Sequence, residues 1–163
     1  MDNSRKWAHV DRSGDNLTKL LISMLIGQFE HNLDAKNRIS IPAKLRGDIG
    51  TKVIVTKGLD NCLFVLSQKE WKKLIDKIGN LPLGQKDARG LARIMMAGAM
   101  EVAPDRLGRV VIPDYLKKYA SLKKEAVITG VGNRIEIWAK TAWDLYCQKG
   151  EDTLSEMAER LEL

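Results

Sequence analysis

A nine-residue pattern that occurs twice constrains this chain more than any other feature. Asp34-Ala35-Lys36-Asn37-Arg38-Ile39-Ser40-Ile41-Pro42 returns 71 residues later as Asp105-Arg106-Leu107-Gly108-Arg109-Val110-Val111-Ile112-Pro113. Each copy holds an acid, two variable residues, a residue that tolerates positive φ, an Arg, an apolar run of β-formers and a Pro. Asn37 and Gly108 reach left-handed backbone angles easily, so Lys36-Asn37 and Leu107-Gly108 are read as the centres of hairpin turns. Pro42 and Pro113 fit the first turn of a following helix, where no backbone N–H is needed. After one inserted residue the echo continues at an offset of 72, where Gly58, Asn61, Leu63, Val65 and Trp71 match Gly130, Asn133, Ile135, Ile137 and Trp143. So many Gly, Asn, Pro, Arg and Trp positions in one order mean an internal duplication.

The duplication organises the rest of the chain. Residues 1–23 are polar with little sustained periodicity and are read as a flexible N-terminal extension without an assigned role, Trp7, His9 and Arg12 included. Met24 opens the first clear β pattern, and the sequence leaves open whether it is the original start or whether residues 1–23 are a native extension or an added leader. In the first repeat, 24–80, Phe29, His31 and Leu33 alternate with Glu30 and Asn32, and Ile39 and Ile41 flank Ser40, which predicts a hairpin across the first turn. A short helix over 42–46 ends at Gly47, and strands at 53–55 and 63–66 follow. Ser67 and Glu70 have capping-box spacing for a helix to about Gly79 whose apolar stripe is Trp71, Leu74, Ile75 and Ile78. Leu81-Pro82-Leu83-Gly84 breaks the chain, and a connecting helix is expected within 81–99. The second repeat, 100–146, follows the same plan, with strands at 100–102, 110–112, 126–129 and 134–138, a short helix at 113–122 and a helix opening at Trp143. A separate acidic helix is expected over 147–163, with Leu154, Met157, Ala158 and Leu161 as a packing face. The fold class is α+β.

A hydrophobic content of 44% over 163 residues is enough for a packed core, in one domain or two closely packed halves. Apolar runs such as Leu20-Leu21-Ile22 fall far short of the roughly 18 residues of a membrane span, and a cytoplasmic protein is expected. The net charge of +6 is uneven: residues 1–23 contribute +1 and residues 144–163 contribute −4, which leaves +9 on residues 24–143. A duplicated core that basic points to a polyanionic partner more than to a merely solvated surface.

Catalytic chemistry finds no footing in the sequence. His9 falls in the extension and His31 in a strand, where it is read as structural. Phosphate-loop and H-E-x-x-H patterns are absent, and Gly130-Val131-Gly132 lacks the third Gly and the helix of a dinucleotide site. Cys62 and Cys147 have no metal spacing and are read as buried reduced thiols. No enzyme activity, cofactor or metal is expected. Asp34 and Asp105 each have an Arg four residues on, and an adjacent guanidinium lowers a carboxylate pKa instead of preparing a general acid. Each pair is read as a turn-stabilising contact that aims Arg38 or Arg109 at something outside the protein. Trp71 and Trp143 lie on apolar helical faces, which favours core packing over base stacking.

The two Asp-x-x-x-Arg-x-x-x-Pro copies, each followed by the Gly, Asn and Trp positions given above, resemble the MraZ family over about residues 24–143. That resemblance implies transcription regulators of the bacterial division and cell-wall gene cluster, built from duplicated AbrB/MazE-like β-barrel halves with short helices. It further implies a ring-shaped homo-oligomer that binds short direct repeats of double-stranded DNA in its own promoter region, in the cytoplasm at the nucleoid. Residue by residue, it assigns DNA contact to Arg38 and Arg109, support to Asp34 and Asp105, and flanking positions to Lys36, Asn37 and Arg106. Family members commonly carry Gly at the position of Asn37 and a polar residue at that of Leu107, so the second tip is expected either to bind more weakly or to rely on Arg106 instead. The alternative reading is an antitoxin-like module in which the β core assembles with a protein partner and DNA contact is secondary. An RNA-binding role lacks the aromatic residues on the tip strands that base stacking needs.

Overall fold

The structure, a computed structural model, describes residues 24–163. The readings of residues 1–23 lie outside the described residues. In chain order the elements are β1 (Leu25–Asn32), β2 (Arg38–Ser40), α1 (Ala43–Arg46), β3 (Val53–Lys57), β4 (Leu63–Ser67), α2 (Gln68–Gly79) and α3 (Lys86–Ala97). The second half follows with β5 (Met100–Val102), β6 (Arg109–Val111), α4 (Asp114–Tyr119), β7 (Glu125–Gly132), β8 (Ile135–Ala139) and α5 (Lys140–Arg160).

The two copies do not fold side by side; they exchange strands. One antiparallel sheet has the order β1-β7-β8-β4-β3-β5, and a second, two-stranded sheet joins β2 to β6. Each half thus completes its sheet with the first strand of the other: β1 pairs along β7, and β5 pairs along β3. The order reads the same when the halves are interchanged, so a pseudo-two-fold axis passes between β4 and β8 and through the β2–β6 ribbon. This corrects one expectation: the hairpin across the first turn does not form, because β1 and β2 leave that turn for different sheets. The duplicated α+β halves are as expected, each completed by a strand borrowed from the other, and among the described residues β1 and β5 lie at the edges of the six-stranded sheet.

The exchange follows from where the apolar residues fall. Leu63, Val65, Ile135 and Ile137 face one side of the sheet and Phe64, Leu66 and Trp138 the other, all buried. Both faces of β4 and β8 are covered, which is why these strands read as near-continuous apolar runs. The first face packs against the ribbon, whose Ile39, Ile41, Val110 and Ile112 are fully buried, and against Leu45 of α1 and Leu116 of α4. At roughly 1.5–3 kcal/mol for each fully buried Ile, Leu or Val, this layer is the main stabilising contact of the fold. The second face lies under α2, α3 and α5, with Ile78, Met95, Trp71, Leu74 and Trp143 packed on it, so the two matched Trp residues are packing residues as expected.

Several local signals hold with small changes. Pro42 and Pro113 are N-caps in extended conformation, one position before the first helical turn. The capping box at α2 is half formed: Ser67 Oγ accepts the Glu70 N–H at 3.2 Å, while the Glu70 carboxylate turns to Lys73 and Asn133. α5 runs unbroken from Lys140 to Arg160, so no separate acidic helix begins at 147, and Leu154 and Leu161 of the expected packing face are 66% and 70% exposed. Cys62 is buried, which pushes its thiol up to about 12, but Cys147 is only half-buried, contrary to expectation.

Candidate nucleic-acid interface

Both Asp-x-x-x-Arg copies form the same turn. The Asn37 N–H donates to the Asp34 carbonyl at 3.0 Å and the Asp34 N–H to the Arg38 carbonyl at 2.9 Å; in the second copy Gly108 and Asp105 repeat the first bond at 2.8 Å and Asp105 and Arg109 the second at 3.0 Å. The centre of each turn is therefore Ala35-Lys36 or Arg106-Leu107, one residue before the expected position. Asn37 (φ 55°) and Gly108 (φ 73°) follow as the left-handed residue that closes a three-residue loop. Asn and Gly at these two positions are what that backbone demands.

The acid of each copy organises its own tip. Asp34 Oδ1 accepts the N–H groups of Lys36 (2.8 Å) and Arg38 (2.9 Å), and Oδ2 accepts Arg38 Nε at 2.7 Å. Asp105 does the same with Leu107, Arg109 and Arg109 Nε, at 2.9, 2.9 and 2.7 Å. Hydrogen bonding from the Arg38 or Arg109 backbone first, helped by the guanidinium, holds each carboxyl below its ordinary range. The Nε contact fixes the plane of each guanidinium while engaging one of its five donors. The arginine side chains are not fully exposed at 27% and 31%, because the Asp and the ribbon cover part of each stem. Lys36 and Arg106 are exposed at the turn centres, as is Leu107 at 61%.

Strand exchange brings the two copies together. In the ribbon Arg38 lies opposite Val111, Ile39 opposite Val110 and Ser40 opposite Arg109. Directly opposed residues share a face, so Arg38, Ser40, Arg109 and Val111 form the outer surface while Ile39 and Val110 point into the core. The two arginines are diagonal neighbours on that surface, roughly 7–8 Å apart at the backbone. Bonds from Ile41 N–H to the Gly108 carbonyl (2.9 Å) and from Ile112 N–H to the Asn37 carbonyl (2.8 Å) extend the ribbon to both tips. Sequence spacing had presented two separate tips; the fold presents one surface.

Residues outside the nine-residue pattern hold the tips in place. Asn37 donates through Nδ2 to Asp114 Oδ1 and accepts Lys117 Nζ at Oδ1, both at 2.8 Å, which ties the first tip to α4 of the other half. On the second tip Gly108 leaves room for Arg46 of α1; a Cβ there would collide with that guanidinium. Arg46 donates to the Ile41 carbonyl at 2.6 Å and to Ser40 Oγ at 3.2 Å. Arg46 and Lys117 stand 71 residues apart, so the repeat offset was the signal by which these paired supports could have been found.

Comparison with known proteins gives a consistent picture. The family model described as MraZ protein, which its description also likens to antitoxins, matches the chain twice, at residues 24–94 and 95–163. Among curated relatives, the "Transcriptional regulator MraZ" of Carboxydothermus hydrogenoformans is 49% identical over 138 residues, 85% of this chain and 96% of that protein. Proteins of the same name from Caldanaerobacter subterraneus subsp. tengcongensis and Thermoanaerobacter pseudethanolicus are 46% and 47% identical over 139 residues, each covering 85% of this chain and 97% of the relative.

Proposed function

The chain belongs to the MraZ family, and from that premise we propose that it is a DNA-binding regulator of transcription that reads duplex DNA with the outer face of its β2–β6 ribbon. The observation that carries this reading is the placement of two Asp-clamped arginines on one face of one two-stranded ribbon. The major groove admits a two-stranded β-ribbon, and a guanidinium presented with its plane fixed can donate twice to guanine O6 and N7. Arg38 and Arg109 are the base-contacting residues, with Asp34 and Asp105 setting their orientation. Lys36 and Arg106, exposed at the turn centres, meet phosphates on either side, and Asn37 anchors the first tip. Leu107 cannot contact phosphate, so Arg106 carries that role at the second tip.

One ribbon spans only a few base pairs, and a protomer alone binds weakly. A ring of protomers facing short direct repeats adds such contacts through effective concentration, which makes homo-oligomerisation and repeated sites parts of one design. The DNA is the region upstream of the chain's own gene cluster for division and cell-wall synthesis, and the site of action is the nucleoid within the cytoplasm. The +9 charge on residues 24–143 supplies the sequence-independent part of the affinity.

Titration of that upstream DNA and of a scrambled duplex at several salt concentrations tests the proposal. Preference for the upstream DNA is expected, with affinity falling about 10³-fold or more between about 50 and 200 mM salt if six or more phosphates are met. Equal affinity for both duplexes and a flat salt response would refute it and point to a protein partner instead.

A further inference from the structure

The β2–β6 ribbon is symmetric in its backbone but not in the side chains on its outer face. At the repeat offset of 71, Lys36 matches Leu107 and Ser40 matches Val111, so the second copy carries an apolar residue at both places where the first carries a polar one. The core requires neither of them. Val110 and Ile112, the neighbours of Val111, are fully buried, while Val111 itself is 43% exposed and Leu107 is 61% exposed. Both stand on a fixed frame. The Leu107 N–H donates to Asp105 Oδ1 at 2.9 Å, its carbonyl accepts the Ser40 hydroxyl at 3.3 Å, and Val111 is paired in the ribbon. Lone exposed apolar residues are ordinary on a protein surface. These two, however, lie beside the Asp-clamped arginines, Leu107 two residues before Arg109 and Val111 directly across from Arg38.

Antiparallel pairing sends the two apolar residues to opposite ends of the face. One end presents Lys36, Arg38 and Val111, the other Leu107, Arg109 and Ser40. An arginine at each end suits guanine, and the apolar side chain beside it suits the one apolar group on a major-groove base edge, the C5-methyl of thymine. Given DNA reading by the ribbon, on which this rests, we propose that Leu107 and Val111 are specificity-determining residues that pack on thymine methyl groups next to the bases met by Arg109 and Arg38. Contact removes apolar surface of both partners from water, which favours thymine over cytosine, whose C5 carries no methyl group. Arg106, beside Leu107, keeps the phosphate contact at that tip. The same two residues give the face a direction. Rotation about the pseudo-two-fold axis puts Lys36 in the place of Leu107 and Ser40 in the place of Val111, so the two orientations of a protomer on a duplex are unequal and the sequence that fits it is non-palindromic.

Deoxyuridine lacks only the C5-methyl of thymidine, so titration of the full chain with upstream DNA made with thymidine and with deoxyuridine tests the contact. The unaltered chain is expected to bind the thymidine duplex about fourfold more tightly for each methyl met. The double substitution Leu107→Lys, Val111→Ser installs the first copy's own residues, which the same turn and ribbon already accommodate. That variant is expected to bind both duplexes alike while still preferring upstream to scrambled DNA. Equal affinity of the unaltered chain for both duplexes, with its preference for upstream DNA intact, overturns the methyl contact and leaves the arginines as the base readers. A thymidine preference that survives the double substitution also overturns it, since the methyl groups are then met elsewhere. Absence of any preference for upstream DNA in the unaltered chain removes the DNA reading itself, and this proposal with it.

Discussion

A carboxylate four residues before an arginine can do little in an extended strand, but on a three-residue loop it reaches two backbone N–H groups and the guanidinium together. Asp34 and Asp105 do so with nearly identical distances. Asp34→Asn keeps the shape and removes the charge that fixes the Arg38 plane; affinity for specific DNA should fall about tenfold while thermal melting shows a folded protein, as expected when a charge-assisted bond is lost from an orienting role. Because both carboxyls are held below their ordinary value, their contribution to the folded tips is fully present above the unfolded carboxylate pKa, about 3.9, and is lost as pH falls through the lower folded value. Tip-dependent DNA binding should therefore be insensitive to these groups from pH 5 upward. These pairs were legible in the sequence because every partner lies within four residues. Arg46 over Gly108 and the Asn37–Asp114–Lys117 contact were not, since they join different halves and only the fold makes them neighbours.

Strand positions were legible to within a few residues, because alternation marks which side chains are buried. Strand partners were not, because alternation is silent about which strand lies alongside. The turn at Asp34–Asn37 is equally compatible with a hairpin and with two strands that part at its base, and the buried stripes decide between them. Ile39 and Val110, opposed in the ribbon and both fully buried, must sit on the inner face of the large sheet, which carries β2 away from β1. Ile39→Ala should cost about 2–5 kcal/mol of unfolding free energy, read by denaturant titration, and should loosen both tips, since it underlies a ribbon made from both. The continuous α5 was missed for a similar reason: nothing between Trp143 and Leu154 breaks a helix except Gly150, and a single Gly is tolerated within one.

On the scale of the molecule, duplication with strand exchange turns two separate tips into one surface with a two-fold character. The basic charge is carried by residues 24–143, while the acidic residues 144–160 lie on α5. Light scattering on the free protein should report an assembly well above a dimer, consistent with the exposed apolar residues along α3 and α5 such as Ile94 and Leu154; a monomer at micromolar concentration would remove the contribution of multivalency. Base reading by the shared ribbon through both arginines is tested by titration of upstream and scrambled DNA with Arg38→Ala, Arg109→Ala and the double variant, alongside thermal melting. Each single variant should remain folded, lose about 1–3 kcal/mol of specific binding per contact, and narrow the gap between the two duplexes. Unchanged preference for upstream DNA in a well-folded double variant would mean that Arg38 and Arg109 do not read bases.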